Sequence, residues 1–152
     1  MGEVRVAIAG LGNCASALVQ GVHFYRDSKA DEEIPGLMHV DFGGYFPKDL
    51  KFVAAFEANS RKVGLDIADA IWVEPNCCVK FAPDLPKTGV KVEAGPISDG
   101  VAPHMMESFF AHKEEVTVEH VTDVLRKSKA DVLVNYLPVG SAKGARMYAQ
   151  AA

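Results

Sequence analysis

The sequence predicts an α/β fold with a doubly wound parallel sheet, and three observations predict it. A β-branched apolar run, Val4 to Ala9, passes through Gly10-Leu11-Gly12 straight into residues with helical spacing. Two further runs, Lys51 to Phe56 and Val132 to Val134, are almost continuously apolar, as strands buried on both faces are. Helical and extended segments alternate along the chain, an order that builds a parallel sheet with helices on both faces.

Each element has its own signal. Val4 to Ala9 is a strand. From Asn13 a helix takes over, with Ala15, Leu18, Val19 and Val22 at three- and four-residue spacing. Asp27 to Asp49 begins with charges and runs into Pro35-Gly36 and Gly43-Gly44. It reads as an insertion of turns with little regular structure, and a loop of that length in a compact domain usually has a task, here contact with substrate or a neighbouring subunit. Lys51 to Phe56 is the second strand. Lys62 to Ile71 is expected to be helical, and Pro75 to Pro86, broken by prolines, irregular. Val90 to Glu93 alternates as a short strand that ends at Gly95-Pro96. Val118 to Lys129 repeats apolar residues at Val118, Val121, Val124 and Leu125, with Thr117 as N-cap. Val132 to Val134 is expected to be another buried strand. Pro138 and Gly140 then punctuate, and Ser141 is placed to cap a last helix. No internal repeat or low-complexity stretch interrupts this order.

The composition bounds the function. With 152 residues, 49% hydrophobic and 24% charged, the chain reads as one globular domain spanning residues 1–152. A net charge of −4 gives no electrostatic reason to expect nucleic acid or an anionic membrane as partner. No apolar run approaches the roughly 20 residues that span a bilayer. The start, Met1-Gly2-Glu3-Val4-Arg5, lacks the basic opening and long apolar stretch of a secretory signal. Val6 stands where a myristoylation signal needs Ser or Thr. Cys14, Cys77 and Cys78 make neither a disulfide framework nor a zinc pair, so a reducing cytoplasm and structural thiols are the simpler reading.

Three clusters carry chemistry. In Gly10-x-Gly12-x-x-Ala15, Gly10 permits a tight turn and Gly12 lets backbone approach a pyrophosphate. Ala15 is small enough for the helix to pack on the sheet, and the helix N-terminus offers N–H groups and partial positive charge to phosphates. Glu57 ends the second strand, where a dinucleotide site needs an acid for the adenosine ribose. It comes later than the roughly 20 residues usual after the glycines, and the insertion accounts for the excess. A carboxylate there repels the 2′-phosphate of NADP and favours NAD. Against this, Arg61-Lys62 nearby is able to accept that phosphate, and Glu57 alone is equally well read as a solvated strand-end charge. The third cluster, Asn135-Tyr136-Leu137-Pro138-Val139-Gly140-Ser141, follows a strand and should edge the same crevice. It also reads as a plain Pro/Gly turn with Ser141 as N-cap. The five histidines (His23, His39, His104, His112 and His120) share no ligand spacing and read as surface or packing residues. Asp99-Gly100 is a turn signal, and Lys80, Lys87 and Lys91 belong on solvated faces. From the residues alone, the sequence describes a Rossmann-like nucleotide-binding domain with no reaction visible.

Val6 to Ser16 with Val19-Gln20-Gly21 resembles the opening of inositol-3-phosphate synthase (myo-inositol-1-phosphate synthase), in its shorter prokaryotic branch. Pro35 to Tyr45 resembles that branch's insertion, and Phe52 to Phe56, Lys62-Val63-Gly64 and Val132 to Ser141 match later blocks in order. The likeness runs from about Val4 to Gln150. It implies tightly held NAD and the conversion of D-glucose 6-phosphate to 1D-myo-inositol 3-phosphate: oxidation at C5, aldol ring closure, and reduction by the NADH just formed. It places Gly10, Gly12, Asn13, Cys14 and Ala15 at the pyrophosphate, and Glu57 and Asn59 at the adenosine ribose. Tyr136, Leu137, Pro138, Gly140 and Ser141 flank the cofactor further along. Glu57 and Asn59 are departures, because the family more often has aspartates there. The family's catalytic lysines lie downstream of the last matched block, so no catalytic residue is assigned, and no residue is assigned as a metal ligand. The chain is expected to be an N-terminal fragment or truncated homologue, with a sheet incomplete at its C-terminal end. The full-length family member is implied to be a homotetramer. Two other readings share the glycine turn: an NAD(P)-dependent dehydrogenase of homoserine-dehydrogenase type, and a non-catalytic nucleotide-binding module.

Overall fold

The computed structural model describes residues 2–101 and 109–152. Strand β1 (Val4–Ala9) leads into helix α1 (Asn13–Phe24), and a 3-10 turn at Pro47–Asp49 precedes β2 (Leu50–Glu57). A single helical turn, α2 (Ile67–Ala70), β3 (Val92–Ala94), α3 (Val118–Ser128), β4 (Val132–Asn135) and α4 (Ala142–Ala151) complete the order. The four strands form one parallel sheet in the order β3-β2-β1-β4. The chain therefore moves outward from β1 to β2 and β3, then crosses back to pair β4 on the other side of β1. That reversal opens a crevice beyond the carboxyl ends of β1 and β4.

The side-chain period of two sorts the strands between two cores. Val6 and Ile8 face α1 and α2 with Ala15, Val19, Ile67, Ile71 and Val92. Ala7 and Ala9 face α3 and α4 with Val121, Leu125 and Tyr148. In β2 the register against β1 slips between Val6 and Ala7, pairing Val6 with Phe52 but Ala7 with Ala54. Phe52 and Ala54, two residues apart, consequently pack on opposite faces. The extra residue reverses the parity of the strand, as bulges do, and lets Phe56 meet Tyr148 with ring centroids 5.5 Å apart.

Three sequence expectations, for residues 62–71, β4 and Ser141, are corrected. Residues 62–71 are not one helix. Asp66 gathers N–H groups from Ala68, Thr88 and Gly89 at 2.7–3.1 Å and the Thr88 hydroxyl at 3.0 Å. The Gly64 and Ile67 amides donate to Val92 and Val90, so the stretch runs beside β3 until α2 begins. β4 is not buried on both faces: it is an edge strand, with Val132 46% exposed. The face α1 buries is Ala15, Ser16, Val19 and Gln20. Leu18 and Val22 are half-buried or better, beside Leu37, Val40 and Phe46 of the insertion. Ser141 occupies the N-cap position of α4, but its hydroxyl makes no cap bond. The insertion is turns, as expected, with Gly43 and Gly44 both at positive φ inside a Phe42–Tyr45 bridge. Thr117 caps α3 by accepting the His120 N–H at 3.2 Å.

Candidate functional site

A cleft of about 370 Å³ opens at the crevice between the ends of β1 and β4. Gly10, Gly12, Asn13, Glu57, Asn59, Tyr136, Leu137, Pro138 and Ser141 line it, so nine residues picked from three separate stretches meet at one place. Cys14, Ala15 and Gly140 do not line it. Cys14 is exposed on the first turn of α1, Ala15 is in the core, and Gly140 turns the chain at φ +97°.

The two glycines of the turn serve different ends. Gly10 has φ +88°, and a Cβ there would stand 3.0 Å from the Tyr136 carbonyl oxygen, so β1 and β4 touch through it. A Cβ on Gly12, by contrast, would meet no atom of the described residues within 4 Å. Gly12 is the N-cap of α1, with no side-chain cap and no acidic side chain in the first turn. The first amides of that helix lack intrahelical partners, and the helix dipole favours an anion before them.

Beneath the turn lies a charged cluster. Glu57 is 9% exposed. Its Oε2 accepts the Leu11 N–H at 2.8 Å, and its Oε1 accepts the Ala58 and Asn59 N–H groups at 2.7 and 3.2 Å. The solvated strand-end reading is thereby overturned. Lys62 is 2% exposed. Its Nζ donates to the Leu11 carbonyl at 2.7 Å and to Asn76 Oδ1 at 2.9 Å, and lies 3.8 Å from Glu57 Oε2. Burial pushes the Lys62 ammonium down, and the Glu57 carboxylate opposes the shift. Asn76 Nδ2 donates to the same Leu11 carbonyl at 2.9 Å. Lys62 thus points under the turn and is not a solvated cation for a 2′-phosphate, while Arg61 stacks its guanidinium 3.7 Å over the Phe110 ring. Asn59 is buried, with its Oδ1 taking the Arg61 N–H at 3.0 Å.

The far wall is a segment that the motifs do not reveal. Pro96, Ile97, Ser98, Asp99 and Gly100 line the cleft opposite the turn. Asp99 does more than turn the chain: its carboxylate accepts the Lys143 and Gly144 N–H groups at 2.8 and 3.2 Å, capping α4 from a distance. The Lys143 N–H leads the contacts that hold the Asp99 carboxyl below its usual range. Ser141, 6% exposed, is left with a buried hydroxyl that has no hydrogen-bond partner among the described residues.

Asn13 Oδ1 accepts the Cys77 N–H at 2.7 Å, which fastens the irregular 75–82 stretch to the start of α1. Gln20 fastens it further along, accepting the Phe81 and Ala82 N–H groups at 2.9 and 3.2 Å. Sequence reasoning missed the roles of Asn76, Asp99 and Gln20, and read Lys62 as able to accept a 2′-phosphate. A lysine, an asparagine in a Pro-rich stretch and an Asp-Gly pair are surface signals by type, and only the fold brings them inward. His112 packs with Nε2 2.8 Å from the Gly95 carbonyl, and His120 is exposed. His104 lies outside the described residues. Among the described residues no three His, Cys, Asp or Glu side chains cluster as metal ligands, and no helix is long and apolar enough to cross a membrane.

No protein-family model matches the chain. It is 50% identical over 151 residues to the inositol-3-phosphate synthase of Corynebacterium glutamicum, an alignment that covers 98% of this chain and 40% of that protein. The chain matches the N-terminal portion of inositol-3-phosphate synthases. The synthase of Mycolicibacterium smegmatis is 46% identical over 151 residues, covering 99% of this chain and 41% of that one. That of Mycobacterium tuberculosis is 47% identical over 150 residues, covering 99% and 40%. The chain thus spans about two fifths of the length of these synthases. Among solved structures, Ari2 superposes with a TM-score of 0.79 at 35% identity, covering 98% of this chain and 42% of that one. A myo-inositol-1-phosphate synthase-related protein from Thermotoga maritima superposes at 0.66 with 18% identity, covering 89% and 34%, a likeness of fold.

Proposed function

We propose that this chain is the NAD-binding portion of an inositol-3-phosphate synthase. The observation that carries the reading is Gly12. It is the cap of α1 and lines the cleft, and among the described residues no atom stands within 4 Å of where its Cβ would be. The lack of a Cβ there is explained by something outside the protein that comes close to backbone, as a diphosphate at a helix N-terminus does. The orphaned Ser141 hydroxyl across the same cleft fits a ligand too, since buried polar groups without partners are uncommon.

In this reading the pyrophosphate lies over Gly10, Gly12 and Asn13, and the adenosine ribose lies by Glu57 and Asn59. Glu57 Oε1 is filled by the Ala58 and Asn59 N–H groups, but Oε2 holds only the Leu11 N–H and keeps room for a further donor such as a ribose hydroxyl. Tyr136, Leu137, Pro138 and Ser141 flank the nicotinamide half. When bound, NAD supplies hydride acceptance and return. This chain's residues bind and orient it, and no catalytic residue is assigned among them. In the whole protein, glucose 6-phosphate is the substrate and the reaction returns NAD unchanged.

Titration calorimetry with NAD tests the assignment. The wild type should bind, and Gly12→Val, whose Cβ would meet no atom of the described residues within 4 Å, should lose at least about a hundredfold in affinity because the isopropyl group occupies the phosphate's approach. Equal affinity in the folded variant would sink the placement. A net accumulation of NADH during glucose 6-phosphate turnover by the whole protein would instead favour a dehydrogenase.

A further inference from the structure

The reading above leaves unexplained why a buried lysine and glutamate meet a half-buried asparagine beside the glycine turn, where apolar packing would be simpler. We infer that Glu57, Lys62 and Asn76 form a positioning clamp on Leu11 that aims the Gly12 amide into the cleft toward a bound diphosphate. The inference rests on the nucleotide reading of the site.

The geometry is that of two successive peptide units. The Leu11 N–H is taken by Glu57 Oε2 at 2.8 Å, and the Leu11 carbonyl by Lys62 Nζ at 2.7 Å and Asn76 Nδ2 at 2.9 Å. A trans peptide is planar, with its C=O and the following N–H pointing in opposite directions. Drawing the Leu11 carbonyl onto Lys62 and Asn76, at one side of the cleft, therefore turns the Gly12 N–H away from those two donors. Gly12 lines the cleft and has open space before it. The Leu11 amide, already spent on Glu57, is removed from the set of donors a ligand can use. The diphosphate is left to Gly12 and the first amides of α1.

The clamp is itself held. Asn76 accepts from Lys62 at 2.9 Å and donates to the Ile71 carbonyl at 3.0 Å, so its amide plane has one orientation. The next residue, Cys77, gives its N–H to Asn13 Oδ1 at 2.7 Å. The 76–77 pair thus grips the chain on both sides of Gly12. Lys62 and Glu57 neutralise each other at 3.8 Å, both almost removed from water. A charged hydrogen bond from a fixed ammonium is stronger and more directional than a neutral one, which suits a group whose task is to hold a peptide plane. Lys62, Asn76 and Glu57 act on the ligand through Leu11, so Lys62 and Asn76 are positioning residues.

The test is NAD affinity by calorimetry in the wild type and in Asn76→Ala, Lys62→Met and Lys62→Arg, with folding checked by circular dichroism. Loss of the carbonyl's donors should weaken NAD about tenfold in Asn76→Ala and more in Lys62→Met, and Lys62→Arg, which keeps a donor within reach, should recover part of the loss. Folded variants that bind NAD within twofold of the wild type would show a merely structural cluster and overturn the clamp alone. A wild type that binds no NAD would overturn the nucleotide reading, and the clamp with it. Should neither Asn76→Ala nor Lys62→Met fold, amide exchange in the wild type decides. The clamp requires Leu11 to be protected before NAD is added and Gly12 only afterwards, and Gly12 protection already complete in the free protein would overturn it.

Discussion

Ser141 concentrates the conflict between folding and function in one atom. Its Oγ is buried without a partner among the described residues, and it sits so close to Gly100 that a Cβ there would be 2.4 Å away. The N–H groups at the start of α4, which a capping serine would accept, go to Asp99 instead. A buried hydroxyl without a hydrogen bond costs a protein about 1–3 kcal/mol. Ser141→Ala should therefore leave the free protein at least as stable as the wild type, by up to about 1 kcal/mol in urea unfolding once lost packing is set against the relieved hydroxyl. It should also weaken NAD binding several-fold in calorimetry. A variant less stable than the wild type with unchanged affinity would mean that the hydroxyl serves the fold. The two glycines divide in the same manner: Gly10 is required by protein geometry, at φ +88° against the Tyr136 carbonyl, whereas among the described residues nothing stands within 4 Å of a Cβ on Gly12.

At the scale of elements, the sheet is closed at its base by an ion pair. Arg5 at the start of β1 donates from Nε and Nη2 to the two Asp131 oxygens at 3.0 and 2.7 Å, and its backbone N–H adds a third bond at 2.9 Å. The Arg5 guanidinium, then its backbone N–H, hold the Asp131 carboxyl down at about 2. The folded pKa lies below the unfolded value of about 3.9, so this contribution is fully present above about pH 4 and is lost as pH falls toward 2. Asp131→Asn should flatten the acid limb of the stability–pH curve in that window, and because the pair is exposed, added salt should shrink the difference. An unchanged acid limb would show that the pair does not couple β1 to β4. Strands and helices with a clean period were legible in the sequence, α3 down to its Thr117 cap. Residues 62–71 were not, because their conformation is dictated by Asp66 reaching Thr88 and Gly89, a contact with no local signature. Glu57 was legible as the acid at a strand end. Its partners were not, since Lys62 and Asn76 meet Leu11 only after β2, α2 and the irregular stretch have folded over the turn.

Over the whole molecule, the order β3-β2-β1-β4 brings the glycine turn, the 96–101 wall and the 136–141 loop to one end of the sheet, although they are far apart in sequence. The insertion lies elsewhere, beside α1, where Leu37, Val40 and Phe46 border one cavity with Leu18 and Val22, and its Met38 is 90% exposed. If the cleft is a single nucleotide site, binding must act on all three segments together and leave the insertion alone. At an NAD concentration about a hundredfold above Kd, mass action stabilises the folded state by about 2.7 kcal/mol, which a thermal scan reads as a raised Tm. Hydrogen exchange gives the finer discrimination. Amides of residues 10–14, 96–101 and 136–144 should slow on adding NAD, while those of 28–46 keep their rates. Protection confined to the glycine turn would mean a phosphate site only, with the 136–141 loop outside it. Protection spreading into 28–46 would couple the insertion to the cleft, a coupling that no hydrogen bond among the described residues provides. The joint response of three sequence-distant segments is the signature of a dinucleotide spanning the point where the sheet reverses direction, since only a ligand of that length touches both the end of β2 and the loop after β4.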